Sequence, residues 1–490
     1  MAEQASSPTE YKASLGLWDA TMIVAGSMIG SGIFIVSADI TRQVGSAGWL
    51  IAVWLITGFM TLTAALSYGE LSSMFPKAGG QYIYLKEAFN PLAGFLYGWS
   101  FFAVIQTATI AAVGVAFSKF AAYLIPALSE DNKLFKLATG TDACNNPVFF
   151  SISSAQLVSI LLIVLLTYSN TRGVQGGKWI QNIFTSTKLL SLFGLIIAGF
   201  IMFNPEVWSG NWTNAWSAAQ INPVDTCDPK SGFSINAISG MALMGGIAAA
   251  MSGSVFSSDA WNNVTFIAGE IKNPKKNIGL SLMMGTLIVT VIYVLANLVY
   301  LAVLPMDAIA HAEKDRVAVA ASQAIFGNAG TKVIAIMIMI STFGCNNGLI
   351  LAGARVYNTM AKDGLFFKKA ASLNKNQVPG FALWIQCIVA SLLCLSGKYG
   401  DLLDMISFVV VLFYALTIYG IFVLRKQRPD ADRPYKAFGY PVLPAIYIIL
   451  ALVFCFFLVK MKPLYAGIGL AIVLAGIPIY YVAMSRKKDR

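Results

Sequence analysis

Two stretches of this sequence and two charged side chains hold most of its capacity for chemistry. The first stretch is Gly26-Ser27-Met28-Ile29-Gly30-Ser31-Gly32-Ile33-Phe34, with three glycines in seven residues. Each glycine weakens a helix interior by about 1 kcal/mol. The second stretch is Ser252-Gly253-Ser254-Val255-Phe256-Ser257-Ser258-Asp259-Ala260-Trp261-Asn262, where small and polar residues and one acid interrupt an apolar run. One reading of both is close helix packing through small residues. The other is a broken helix whose bare groups bind a ligand. Free N–H groups at the start of a half-helix suit a carboxylate, and free carbonyls suit an ammonium. An α-amino acid presents both groups a few ångströms apart, so backbone alone can hold it.

The charged side chains are Lys188 and Asp259, each deep inside an apolar segment. An ionisable residue at such depth marks function by default. Lys188 can serve as a fixed cation or as a titrating group. Asp259 can face a substrate amine or a proton, or it can sit passively at the helix break. Ser257, Ser258, Trp261, Asn346, Asn347 and Phe408 are the expected cavity lining, with Asn346 and Asn347 open to simple interhelical bonding. Catalysis of other kinds has little to work with. The chain has one histidine, His311, and six scattered cysteines, which leaves neither a metal cluster nor a histidine-rich site. No cofactor, metal or enzymatic activity is expected.

The elements that position these residues are membrane helices. Of 490 residues, 57% are hydrophobic and 12% charged, half the charge of a soluble domain. The net charge of +11 is too sparsely spread to suggest nucleic acid. A spanning helix needs about 20 apolar residues. Twelve segments qualify, at 17–38, 48–74, 92–126, 152–169, 179–203, 233–265, 278–304, 331–358, 379–397, 403–424, 441–459 and 463–484. Lys and Arg favour the loops on the side of the termini about two to one, which places both termini in the cytoplasm. Breaks in the first span of each five-span half point to an inverted-repeat transporter. The expected organisation is a tail at 1–16, a first repeat at 17–203, an outer loop at 204–232, a second repeat at 233–424, two further helices within 425–484, and a tail at 485–490. Two long outer loops, 127–151 and 204–232, each hold one cysteine, Cys144 and Cys227. These are either two free thiols or a disulfide in an oxidising space. Asn211-Trp212-Thr213 is a glycosylation sequon in an outer loop.

With these pieces in order, the sequence resembles the amino acid–polyamine–organocation superfamily, and within it the L-type amino acid transporter branch. The resemblance spans nearly the whole chain. It rests on Gly26 to Phe34; Tyr68-Gly69-Glu70-Leu71; Pro76-Lys77-Ala78-Gly79-Gly80 with Tyr82 and Tyr84; Thr187-Lys188-Leu189-Leu190; and Phe256 to Asn262 followed by Gly269-Glu270-Ile271-Lys272-Asn273-Pro274. Ala361-Lys362-Asp363-Gly364 and Arg433-Pro434-Tyr435-Lys436 with Gly439-Tyr440-Pro441 complete it. It implies two inverted five-helix repeats of the LeuT type plus two C-terminal helices, with helices 1 and 6 unwound at mid-membrane, working by alternating access. Gly30, Ser31, Gly32 and Ile33 would receive the substrate carboxylate. Carbonyls of Met28, Phe256 and Asp259 would receive its amine. Phe256 would be the outer gate, and Lys188 would stand in for a sodium ion. Asp259 and Ala260 stand where familiar animal members carry two glycines.

The expectation is therefore a multi-pass plasma-membrane protein moving L-amino acids without sodium, as exchanger or proton symporter. The apolar run Phe408-Val409-Val410-Val411-Leu412-Phe413 favours neutral side chains. Alternatives are an amino-acid sensor without net flux, or a permease for cationic amino acids or polyamines. Expected partners are the substrate and the bilayer, with no nucleic acid. No heavy-chain subunit is expected, since Cys227 offers Cys144 an internal partner. Glu70 is expected to pair with a basic group at the inner gate.

Overall fold

A computed structural model describes residues 13–141, 144, 147–173, 177–225, 232–396 and 399–488. The chain begins with α1 (Leu17–Met28) and α2 (Ser37–Val44), which together occupy the first apolar segment. The long α3 (Ala47–Met74), the short α4 (Gln81–Ala88) and the pair α5 (Pro91–Ser100) and α6 (Gln106–Leu124) follow. A wider turn over Phe101–Ile105 joins the last two. Strands β1 (Lys133–Thr141) and β2 (Pro147–Ser153) lead into α7 (Ser154–Thr171), α8 (Gly177–Ile201) and α9 (Pro205–Trp212). Then come β3 (Ala219–Pro223), β4 (Phe233–Ala237), α10 (Gly240–Ser257), α11 (Asn263–Phe266), α12 (Pro274–Val303) and α13 (Met306–Ala310). The chain closes with α14 (Val317–Lys362), α15 (Gly380–Ser396), α16 (Tyr399–Gln427), α17 (Val442–Met461) and α18 (Pro463–Lys488).

Helix starts follow local chemistry. Asn90 accepts the N–H of Ala93 at 2.9 Å, with Pro91 in the first helical position. Ser153 and Gln156 cap α7 reciprocally, which satisfies two donors that a bare helix start leaves open. Among the described residues, ten helices are long and apolar enough to cross a membrane. The α1–α2 segment is divided, and the apolar stretch of α15 is shorter. Only 33% and 17% of the apolar windows of α17 and α18 are buried, so these two helices sit at the periphery. Leu452, Val459 and Leu474 are exposed there. A soluble monomer rarely exposes apolar surface on this scale; a hydrocarbon environment accounts for it.

Several expected boundaries move. The segment expected to begin at 233 starts instead at Gly240, because Phe233–Ala237 pairs antiparallel with Ala219–Pro223. The helix expected over 331–358 reaches back to Val317 and is kinked at Gly327, with φ 66° and ψ −163°. The stretch 127–151, expected as an outer loop, carries the β1–β2 hairpin. Asn211 is not an accessible glycosylation site. It is buried, and its amide nitrogen donates to the carbonyls of Leu301 and Leu304, both at 2.9 Å. Cys144 is disulfide-bonded. Cys227 lies outside the described residues, and Cys345, Cys387, Cys394 and Cys455 are free and buried.

The core is a helical bundle in which α3 lies along α12, α14 along α6 and α8, and α1 along α12. Close approach depends on glycine. A Cβ on Gly58 of α3 would fall 2.2 Å from Thr290 Cγ2 of α12. Gly58→Leu is expected to force these helices apart, at a cost of about 1–3 kcal/mol. The check is the thermal unfolding midpoint in detergent, which should fall. Leu55→Ala, on the exposed face of the same helix, should leave it in place.

Candidate functional site

Helix α1 stops at Met28. Residues Ile29 to Ser31 are not helical, a single tight turn covers Gly32–Phe34, and α2 resumes at Ser37. The first backbone donation in that turn is Phe34 N–H to the Ser31 carbonyl at 3.2 Å. The N–H groups of Ser31, Gly32 and Ile33 come before it and have no earlier turn to donate to. The second break lies in sequence after α10. Ser258 N–H donates to Ser254 O at 2.9 Å and Asp259 N–H to Phe256 O at 3.2 Å. Ala260 takes φ 64°, a left-handed conformation costing an alanine about 1–2 kcal/mol. The two breaks touch. A Cβ on Gly32 would fall 1.9 Å from Ser257 Oγ, and one on Gly30 would fall 3.2 Å from Cys345 Sγ.

The carbonyls at the end of α1 are all engaged by other helices. Lys188 of α8 is fully buried and donates to Gly26 O at 2.6 Å and Ile29 O at 3.0 Å. Cys345 of α14 donates to Ser27 O at 3.4 Å. The Tyr293 hydroxyl of α12 lies 3.0 Å from Met28 O and 3.0 Å from Ser257 O. A hydroxyl has one proton, so it serves one of these two carbonyls at a time. Met28 O, expected to await an ammonium, already has a partner here, and Phe256 O takes Asp259 N–H. Tyr293, Cys345 and Tyr399 were missed by sequence reasoning. Each looks like ordinary apolar filling, and a tyrosine amid aliphatic neighbours at 293 was the one available signal.

On the side of the β1–β2 hairpin, the Ser31 hydroxyl is 3.0 Å from that of Tyr399 at the start of α16. The Tyr399 ring meets Phe256 edge to face at 6.0 Å. On the opposite side, the Asp259 carboxylate accepts from the Tyr414 hydroxyl. Tyr68 packs on Trp261 at 4.7 Å and on Tyr414 at 5.9 Å. Asn262 donates to Gln81 Oε1 at 3.3 Å. Beyond this layer Glu70 is gripped by Arg425 at 2.9 and 2.7 Å, by Arg433 at 3.4 Å, and by Ala437 N–H at 2.8 Å. Arg355 pairs with Glu270 at 2.6 Å.

The expected lining residues divide. Ser257 touches the Gly32 turn, while Ser258 and Trp261 border a small void beside Asp259 that Val411 and Tyr414 also line. Asn346 donates to Ile110 O at 3.2 Å, and Asn347 accepts from Asn170 at 2.8 Å, so both bond between helices. Phe408 packs towards Gly469 of α18. The arrangement as a whole is two facing helix breaks, with N–H donors from one and carbonyls from both, closed above by Tyr399 and Phe256 and below by an aromatic and ionic plug. These are the group types that a small zwitterion requires. The arrangement has no group set for bond chemistry, and no cluster of three or more potential metal ligands occurs among the described residues.

Known proteins match this chain along almost its whole length. The family model for amino acid permeases matches residues 15–482. The human large neutral amino acids transporter small subunit 2 is 30% identical over 475 residues, covering 96% of this chain and 81% of that protein. The mouse Asc-type amino acid transporter 1 is 28% identical, covering 98% of this chain and 83% of its own. The serine/threonine exchanger SteT of Bacillus subtilis (strain 168) is also 28% identical, covering 97% and 98%. These relatives are transporters rather than enzymes. With the matched residues running almost from end to end, this chain belongs to the amino acid permease family of the APC superfamily, on its L-type branch.

Proposed function

We propose that this chain exchanges neutral L-amino acids across the plasma membrane without sodium, by alternating access. The observation that carries the reading is the Lys188 ammonium on the Gly26 and Ile29 carbonyls. A sodium ion would bind such carbonyls as a hard cation among oxygen ligands; a resident ammonium does so permanently. The substrate carboxylate takes the N–H groups of Ser31, Gly32 and Ile33, next to Gly30, and displaces the Tyr399 hydroxyl from Ser31. The substrate ammonium takes the Met28 carbonyl once Tyr293 turns wholly to Ser257, together with the carbonyls of Phe256 and Asp259. Phe256 and Tyr399 close over it. The name of one relative, a serine/threonine exchanger, supports exchange.

This reading takes twelve spans, arranged as two inverted five-helix repeats with α17 and α18 outside them. It sets both termini in the cytoplasm, so that Glu70 and its arginines form the inner gate. Cys144 pairs with Cys227 inside the chain, and no heavy-chain subunit is needed. A second reading, proton symport, draws support from Asp259. Its carboxylate is buried with a hydroxyl partner and no ion pair among the described residues.

Two measurements separate these readings. Proteoliposomes loaded with unlabelled amino acids should take up labelled L-serine, L-threonine or L-leucine equally well in sodium and in choline buffer. Uptake into empty vesicles that follows an imposed proton gradient and vanishes in Asp259→Asn would replace exchange by symport. Lys188→Ala should remove exchange while the protein still inserts and purifies as a monodisperse species. Its loss leaves two carbonyls unsatisfied in the dry interior, where each such group costs about 1–3 kcal/mol. Exchange at the wild-type rate by this variant would sink the proposed role of Lys188.

A further inference from the structure

A cavity of about 560 Å³ lies on the side of the β1–β2 hairpin. Its lining includes Tyr399, the residue that covers Ser31. Most charges inside it are spoken for. Arg42 pairs with Asp315 at 2.9 Å and with Asp39 at 3.6 Å. Lys314 pairs with Asp131 and with Glu130 at 3.7 Å, and its hydrogen bond holds the Asp131 carboxyl below the usual range. Lys462 pairs with Asp404 at 3.0 Å.

Lys119 is one of three exceptions among the described residues, with Lys133 and Asp401. It projects from α6 into this cavity, half-buried, with its ammonium 5.5 Å from the centre of the Tyr399 ring. Among the described residues it makes no ion pair with any carboxylate. Lys133, the other unpaired cation of the lining, lies exposed at the rim. Asp401 also lines the cavity and, among the described residues, makes no ion pair.

We propose that this cavity is an entry subsite for the zwitterion of an incoming amino acid, with Lys119 as the cation that takes its carboxylate. The inference rests on the chain being an amino acid transporter. A concave, partly apolar wall strengthens the field of an unpaired cation and raises the local concentration of anions. A charge-assisted hydrogen bond to a carboxylate is stronger than the contact of an ammonium with a phenol ring at this distance. An arriving carboxylate therefore draws Lys119 off Tyr399. The substrate's ammonium meets Asp401 across the cavity. Tyr399 then carries the lid function, because its hydroxyl is the group on Ser31 that the carboxylate replaces. Lys119 captures, and Ser31 to Ile33 receive.

The test uses the full chain in proteoliposomes and initial rates of exchange with labelled L-serine, L-threonine and L-leucine. Lys119→Gln should raise KM about tenfold and leave kcat within about twofold, the signature of lost capture. Lys119→Arg should recover the KM. Raising the ionic strength should raise the wild-type KM and leave that of Lys119→Gln flat, since salt screens a partly exposed charge. A purely structural lysine would change kcat or the yield of inserted protein and would not answer to salt. Wild-type flux with a KM indifferent to salt, or Lys119→Gln with the wild-type KM, would overturn the subsite alone. Absence of flux for all amino acids in the wild-type protein would remove the transport reading and this subsite with it.

Discussion

The structure depends on one problem of hydrogen bonding. Helix α1 ends in the middle of the bundle, and its last carbonyls have no backbone N–H to take. In hydrocarbon surroundings each such group costs several kcal/mol if left bare. The solution is four side-chain contacts from three helices: Lys188 on Gly26 and Ile29, Cys345 on Ser27, and Tyr293 on Met28. A buried lysine without a carboxylate would ordinarily be costly. Here the negative end of a helix dipole and two carbonyls compensate it. The same contacts tie α8, α12 and α14 to the break, so the site and the packing of the bundle are one arrangement. Gly32 completes it, because any side chain there would occupy the space of Ser257.

The site closes unevenly at its two ends. Towards the hairpin, one hydroxyl–hydroxyl bond and one edge-to-face ring contact cover it. Such a neutral bond is worth about 0.5–1.5 kcal/mol net. Towards the other side, an aromatic layer of Tyr68, Trp261 and Tyr414 lies over a carboxylate held by two arginines and a backbone N–H. Bidentate charge-assisted bonds of that kind are roughly twice as strong as neutral ones. The layer lying directly on the breaks is thus thinner at the hairpin end than at the other.

How much of this was legible in the sequence follows from physical distinctness. Lys188 stands out because a charge amid aliphatic residues has no bland explanation. The glycine cluster at 26–32 and the acid at 259 stand out as helix-weakening and charged residues inside apolar runs, and Glu70 meets basic partners in Arg425 and Arg433. Tyr293, Cys345 and Tyr399 did not stand out, since tyrosine and cysteine are common in apolar cores and their role comes from a single polar atom aimed across helices. Direction was also hidden. Asn346 and Phe408 lie on segments near the site, yet one bonds to Ile110 and the other packs on α18, and a helix's rotation about its axis cannot be read from a segment with almost no amphipathic contrast. The strands β1 to β4 were missed because they are short and largely exposed, so no buried face imposes a two-residue alternation on them.

The sharing of Tyr293 has a consequence for how binding spreads. Its one proton lies between Met28 O on the first break and Ser257 O on the second. With Met28 O given to a substrate ammonium, that proton goes to Ser257 and ties α12 to the end of α10 instead of α1. The exchange conserves the number of hydrogen bonds, so its cost is small, but it transfers a tether from one broken helix to the other. Ser31 undergoes a parallel exchange when a carboxylate replaces the Tyr399 hydroxyl, releasing α16 from the first break. Both swaps loosen α1 and α2 from the helices of the second half. A zwitterion that makes both contacts drives them together, whereas a molecule with only an amine or only a carboxylate drives one. In the proposed binding mode, backbone recognition of both ends of an amino acid would in this way also couple its binding to movement of the first helix break against α12 and α16.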